Sequence, residues 1–325
     1  MSTASVYDEI NEELNQVIRK LSLLSERNTV EEDSLLMDSL EHVLSVPGKR
    51  TRPAITILAS KFQRHESETP ITMAAAVELL HIATLIHDDT VDNSSVRRGK
   101  ATVSNKWGED VAILLGDYVF ATSATLVCDT NNIRVIKRFS ETIMELSSGE
   151  LSEISDAFKW NITMESYLKR IYNKTASLFS TAAESGSVLS GAPETQNQAL
   201  KSYGYNLGMS FQIIDDILDF EGEEKEVGKP VGNDLIQGTM TLPSILLVQQ
   251  HPENNHIRKF FENTADLSHI ANTIDAIQNS DIIPQCYSAA MEYSNKAQVA
   301  LENLPNCSYK TSLCDLATYV VERRF

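Results

Sequence analysis

Glycine and proline are scarce in this sequence, 13 and 9 among 325 residues. That scarcity argues against a turn-rich β architecture and favours long helices. No stretch rich in Pro, Gly or Ser reads as a linker, so residues 1–325 are expected to form one domain. Basic residues are also in deficit: 28 Lys and Arg against 45 Asp and Glu leave a formal charge of −17. Non-specific nucleic-acid binding needs a basic surface that displaces counterions, and no nucleic-acid partner is expected. A small anion remains possible if a few cations or a bound metal reverse the field inside a cleft. The four cysteines, Cys128, Cys286, Cys307 and Cys314, lie far apart with no Cys-x-x-Cys pair. They fit thiols in a reducing compartment rather than a disulfide framework or a zinc site. The acidic start from Met1 to Glu13 lacks the layout of a signal peptide. Nor does any uninterrupted apolar run of about 18 residues stand out. The expectation is a cytoplasmic protein with no transmembrane segment.

What is abundant is helical periodicity. Ile10, Leu14, Val17, Ile18 and Leu21 share one helical face, and Val77, Leu80, Thr84 and Ile86 do so less strictly. No segment alternates with period two. Turn signals at Val46-Pro47-Gly48, Arg97-Arg98-Gly99, Gly191-Ala192-Pro193 and Gly228-Lys229-Pro230 divide the chain into helices. Residues beyond about 250 carry little chemical signal, so an all-α fold is expected with its chemistry upstream.

The chemistry begins with two copies of one pattern, Asp88-Asp89-x-x-Asp92 and Asp215-Asp216-x-x-Asp219. On a helix, acids three and four apart project toward one side, where like charges repel. One such triad reads equally well as a solvated acidic face. The second copy lies in Phe211-Gln212-Ile213-Ile214 and Ile217-Leu218, and the first follows Leu79 to His87, so both sit in strongly apolar sequence. A cation makes such clusters tolerable, and Mg2+ suits them because it prefers hard oxygens and bridges carboxylates to substrate phosphates.

Three basic clusters supply candidate phosphate ligands. Gly48-Lys49-Arg50-Thr51-Arg52-Pro53 is a loop entering a helix, where Lys49, Arg52 and helix amides meet an anion. Arg97-Arg98-Gly99 follows the first triad, and Lys174-Thr175 with Gly228-Lys229 offers two ammonium groups and a hydroxyl.

Together these segments resemble the trans-isoprenyl diphosphate synthase family, in particular its polyprenyl diphosphate synthases. The resemblance runs through Gly48 to Pro53, Glu78 to Thr102, Gly149-Glu150, Lys174-Thr175-Ala176, Phe211 to Phe220 and Gly228 to Pro243. It implies a single-domain helical bundle of the isoprenoid synthase type around a central elongated cavity, usually as a homodimer, with the triads facing each other across the cavity mouth. By the same resemblance, three Mg2+ ions hold an allylic diphosphate. Asp88, Asp89, Asp92 and Asp215 match the principal metal acids, with Asp216 and Asp219 in support. Arg97, Lys174, Thr175, Gln212 and Lys229 match allylic-diphosphate contacts. Lys49, Arg52, His81 and Arg98 match the isopentenyl diphosphate pocket. The implied reaction is ionisation of the allylic substrate, attack by the isopentenyl double bond, and proton loss.

Two positions depart from the family pattern. Glu153 stands where Gln is usual, and Thr239 where Lys is common, so both shift local charge toward negative. The family's product tunnel runs along the helix of the first triad, where Ala83 and Thr84 are small and Leu80 lies deeper. An aromatic residue there fills the tunnel; small residues imply a geranylgeranyl or longer product from a geranyl, farnesyl or geranylgeranyl primer. Two further readings stay open. One is the catalytic subunit of a two-component synthase with a small regulatory partner. The other is a terpene cyclase, against which the basic segment Gly48 to Arg52 and Asp219 both count.

Overall fold

The computed structural model describes residues 7–26, 34–46, 48–64, 68–221, 230–252, 256–264 and 266–323. Apart from two strands of two residues each, the regular structure among them is helical. The elements used below are α1 (Asn11–Glu26), α2 (Ser34–Leu44), α3 (Thr51–Ser60), α4 (Thr69–Val91), β1 (Val96–Arg97), β2 (Lys100–Ala101), α5 (Val103–Trp107), α6 (Glu109–Asp129), α7 (Ile133–Asp156), α8 (Met164–Ile171), α9 (Ser177–Leu189) and α10 (Glu194–Glu221). Six more helices follow: α11 (Asn233–Ile236), α12 (Leu242–Gln250), α13 (His256–Glu262), α14 (Ser268–Gln278), α15 (Ile282–Ala300) and α16 (Ser308–Glu322).

The chain forms two compact units. The first comprises Met1–Ser140, Thr181–Leu200 and Leu304–Leu313, and the second Glu141–Ser180, Lys201–Asn303 and Cys314–Phe325. In the first, α4 packs along α6 and against α3 and α1. Ile10, Leu14, Val17 and Leu21 are buried as their spacing predicts, while Ile18 lies at the margin of that face and is 37% exposed. Proline at the first turn of α4 removes a backbone donor that has no helical partner there anyway.

Two helices, Thr69–Val91 and Glu109–Asp129, are long and apolar enough to cross a membrane by length and composition alone, a test that buried core helices also pass. The first owes its composition to packing. In it Met73, Ala74, Ala75, Ala76, Val77, Leu79 and Leu80 are all buried, so the usual polar face is missing. The second keeps Ile113, Leu114 and Tyr118 exposed.

The turn signal at Arg97-Arg98-Gly99 is a hairpin joining β1 to β2, with Val96 opposite Ala101 and Arg97 opposite Lys100. Its two central residues, Arg98 (φ 50°) and Gly99 (φ 77°), both take positive φ, which matches the twist of a two-residue hairpin.

The second unit has its own core. Ile213, Ile214, Ile217 and Phe220 of α10 pack with Tyr167, Ile171, Leu235 and Met240 and with Ile282 and Cys286 of α15. Each fully buried residue of this size contributes about 1.5–3 kcal/mol. Four such residues interleave with the second triad and anchor that stretch of α10 in the core.

Candidate active site

Both triads lie at the C-terminal ends of their helices. Asp88 and Asp89 occupy the last turn of α4, and Asp92 caps it, its N–H donating to the Asp88 carbonyl at 2.8 Å. The second triad falls in the last two turns of α10. A helix C-terminus is the negative end of the macrodipole, so carboxylates placed there are destabilised twice, by one another and by the backbone.

In the first unit, Asp89 is buried and accepts a hydrogen bond from Arg97 Nε at 2.7 Å. A cavity beside it is lined by Asp89, Arg97, Arg98, His81, Glu78 and Arg50, among others. The α4 residues reach it because positions 78, 81, 82, 85 and 89 recur on one helical face. His81 is held well below the usual imidazole range, chiefly by burial and then by the charges of Arg52, Arg98 and Arg97. It is a neutral hydrogen-bonding group at physiological pH. Lys49 is exposed and does not line this cavity. Arg52 acts on it through its field. Arg50 and Glu78, which the sequence reading left unassigned, are in its wall.

In the second unit, hydrogen bonds tie the remaining predicted residues together. Thr175 Oγ1 donates to Gln212 Oε1 at 2.6 Å, and Gln212 Nε2 donates to Asp216 Oδ1 at 2.9 Å. Tyr167 Oη donates to the other oxygen of Asp216 at 2.6 Å. Burial pushes Asp216 up to about 7, against these hydrogen bonds. Asp219 is pushed up to about 8 by burial and by the charge of Asp234, whose N–H donates to it at 3.2 Å. Among the described residues, Arg170 is the cation that acts on Asp216, and its pull is smaller than the push of burial. Asp215 is paired directly, since Arg323 Nη2 lies 2.5 Å from its Oδ1.

Lys174 lies on a π-helical turn, Tyr172–Ala176, inserted between α8 and α9, a distortion frequent at functional sites. Its ammonium contacts Glu153 Oε1 at 2.7 Å and Glu150 Oε1 at 3.1 Å. Gly149 makes this approach possible, because a Cβ there would lie 3.0 Å from the Lys174 backbone nitrogen. The unusual Glu153 is therefore paired. Arg170, almost fully buried, stands on its other side at 3.9 Å and also donates to the Met240 carbonyl, next to Thr239.

Lys229 lies outside the described residues. Ala83 and Leu80 are buried in α4, while Thr84 is half-buried and donates its hydroxyl hydrogen to the His81 carbonyl at 2.8 Å. Tyr167 and Arg323 gave no sequence signal, since a lone tyrosine and a terminal arginine have no spacing to read. Asp234 stands in the Gly228 to Pro243 segment and was open to suspicion.

Among the described residues, no three His, Cys, Asp or Glu side chains converge into a ready-made metal cluster. The donors present are carboxylate oxygens, those of Asp216 and Asp219 pushed up in pKa by burial. They fit an ion of the Mg2+ kind, which binds through one or two carboxylates and completes its shell with water and phosphate.

The polyprenyl synthetase family model matches residues 33–277. Heptaprenyl diphosphate synthase component 2 of Geobacillus stearothermophilus is 35% identical over the whole of both chains. The crystal structure of heptaprenyl diphosphate synthase from Staphylococcus aureus superposes with a TM-score of 0.91 at 36% identity, covering 97% of this chain and 98% of that one. Polyprenyl synthase from Caulobacter crescentus, solved with calcium and isoprenyl diphosphate, gives a TM-score of 0.92 at 30% identity, covering 100% and 98%.

Proposed function

Since this chain belongs to the polyprenyl synthetase family and is a prenyltransferase, we propose that it condenses isopentenyl diphosphate with a geranyl, farnesyl or geranylgeranyl diphosphate. The product is geranylgeranyl diphosphate or a longer trans-polyprenyl diphosphate. The observation that carries this reading is the pair of aspartate triads at helix C-termini, one of them beside a cavity walled by Arg97, Arg98, Arg50 and His81.

Asp88, Asp89, Asp92, Asp215, Asp216 and Asp219 are the carboxylates assigned to hold Mg2+, three ions in the family pattern. The metal, when bound, supplies positive charge that neutralises a departing diphosphate. Arg97, Lys174, Thr175 and Gln212, with Lys229, bind the allylic diphosphate and stabilise charge building on its leaving oxygen. Arg98, His81, Lys49 and Arg52 hold the isopentenyl diphosphate with its double bond toward the allylic carbon. Once the carbon–oxygen bond has broken, the double bond attacks the allylic cation, and the released diphosphate takes the proton lost from the new chain. Apolar helices exclude water, so the allylic cation meets carbon before it meets oxygen. Ala83, Thr84 and Leu80 are assigned to the wall that limits tail length.

The exposed Ile113, Leu114 and Tyr118 of α6 support a homodimer. Two relatives are named as component 2 of a heptaprenyl synthase, which favours a second reading in which a small regulatory subunit completes the enzyme. Incubating the purified chain with Mg2+, isopentenyl diphosphate and each primer, then separating products by length, tests the proposal. Elongated diphosphates are expected. A hydrocarbon lacking diphosphate would mean a cyclase, and no condensation by the folded chain, alone or with a partner, would sink the reading.

A further inference from the structure

Two arginines in the wall of the first-unit cavity, Arg50 (φ 48°) and Arg98 (φ 50°), have left-handed backbones. Such a conformation is strained for a side-chain-bearing residue and persists only where its surroundings enforce it. Arg50 stands at the N-cap of α3 without a capping side chain, and Arg98 at the tip of the hairpin. Their guanidinium groups, with that of Arg52, are like charges gathered around one cavity and repel one another.

A carboxylate stands among them. Glu78 belongs to α4, its side chain only 9% exposed, with Oε1 3.7 Å from Arg50 Nη1. Arg50, Arg52 and Arg98 each pull its ionisation downward against burial, which pushes it up, so all three act on this one acid. Gly48 borders both Arg98 and Glu78 and leaves room for them. A Cβ on it would lie 2.8 Å from Arg98 Nη1 and 3.8 Å from Glu78 Oε1. A buried carboxylate in a pocket meant for a diphosphate is otherwise unfavourable, since it repels the ligand.

We infer that Glu78 is a positioning residue of the isopentenyl diphosphate pocket: its carboxylate gathers the guanidinium groups of Arg50 and Arg98 into the arrangement that receives the diphosphate, and makes Arg50 part of that pocket. The inference rests on the proposed condensation. Glu78 stands in the cavity wall beside the arginines and is not among the residues assigned to the allylic diphosphate. Its loss therefore raises the KM for isopentenyl diphosphate while kcat and the KM for the allylic primer change little.

The test compares steady-state kinetics of the wild-type chain with Glu78→Gln, Glu78→Asp and Arg50→Gln, each checked for folding by circular dichroism and thermal melting. Glu78→Gln and Arg50→Gln are expected to raise KM for isopentenyl diphosphate about tenfold to a hundredfold, with kcat within about threefold. Glu78→Asp should recover part of the loss, which a merely structural defect would not. A KM for isopentenyl diphosphate that is unchanged or lower in folded Glu78→Gln overturns the positioning role while leaving the condensation intact. A wild-type chain that fails to condense at all overturns the proposed function, and the inference with it. Should Glu78→Gln fail to fold, Arg50→Gln decides the matter: an unchanged KM there also overturns the inference.

Discussion

Arg323, just beyond the last helix, sets Nη2 2.5 Å from Oδ1 of Asp215 and 2.7 Å from the carbonyl oxygen of Phe211, with its guanidinium over the Phe211 ring at 3.8 Å. The third-from-last residue thus neutralises the leading acid of the second triad. Among the described residues, no ion pair of this kind reaches Asp216 or Asp219, and burial pushes both up in pKa. A metal ion that takes Asp215 must displace this guanidinium or share the carboxylate with it.

Replacing Arg323 with Gln should have opposite effects on stability and on metal binding. Asp215 is 41% exposed, so solvent screening limits the loss to about 1–2 kcal/mol, or a fall of about 2–4 °C in the melting temperature of the metal-free protein. With Mg2+ and inorganic pyrophosphate present, the gap to wild type should narrow, and the Mg2+ concentration for half-maximal stabilisation should drop several-fold. Thermal melts across a Mg2+ series check both. An unchanged half-point shows that Arg323 does not compete with the ion.

Glu153 holds Lys174 at 2.7 Å and has Arg170 on its other side. The pairing keeps Lys174 occupied and leaves the region without the lysine that the family pattern puts at Thr239. The double variant Glu153→Gln, Thr239→Lys should therefore reach half-maximal condensation at several-fold lower Mg2+ than wild type. Condensation rates over a Mg2+ titration at saturating substrates measure this, and identical curves refute it.

His81 should stay neutral well below pH 6.5. Its folded-state pKa is depressed, so the stability it provides is complete above the unfolded value and is lost as pH falls toward the folded one. Urea denaturation of wild type and His81→Gln should accordingly differ by a constant amount above pH about 6.5. Below it, wild type should lose stability relative to the variant. A gap that widens in favour of wild type on acidification would show an imidazolium instead.

Ala83→Phe places an aromatic ring on α4 at a fully buried site, where overpacking costs about 1–3 kcal/mol. If the growing tail passes this position, the folded variant should release shorter diphosphates, seen on chromatography of dephosphorylated products. A wild-type length distribution would place the tail elsewhere.

Much of this protein could be read from its sequence, because the relevant signals are local. Helices declare themselves by period, the turn at Arg97-Arg98-Gly99 by its glycine, though not the two-stranded hairpin it joins, and the triads by three- and four-residue spacing in apolar surroundings. The same spacing made the six aspartates candidates for metal binding and singled out Lys174 with its hydroxyl neighbour Thr175, while the oddity of Glu153 came from the family resemblance. Tertiary structure decided which charges compensate which. It brought Arg323 to Asp215 across 108 residues and Tyr167 to Asp216 across 49, and it set Glu78 among Arg50, Arg52 and Arg98. It also made α4 a helix apolar nearly all round, because neighbours cover it on several sides. The physical reason is the range of the forces. Backbone periodicity and turn preference act over a few residues, whereas ion pairing and desolvation depend on distances in space that only packing fixes.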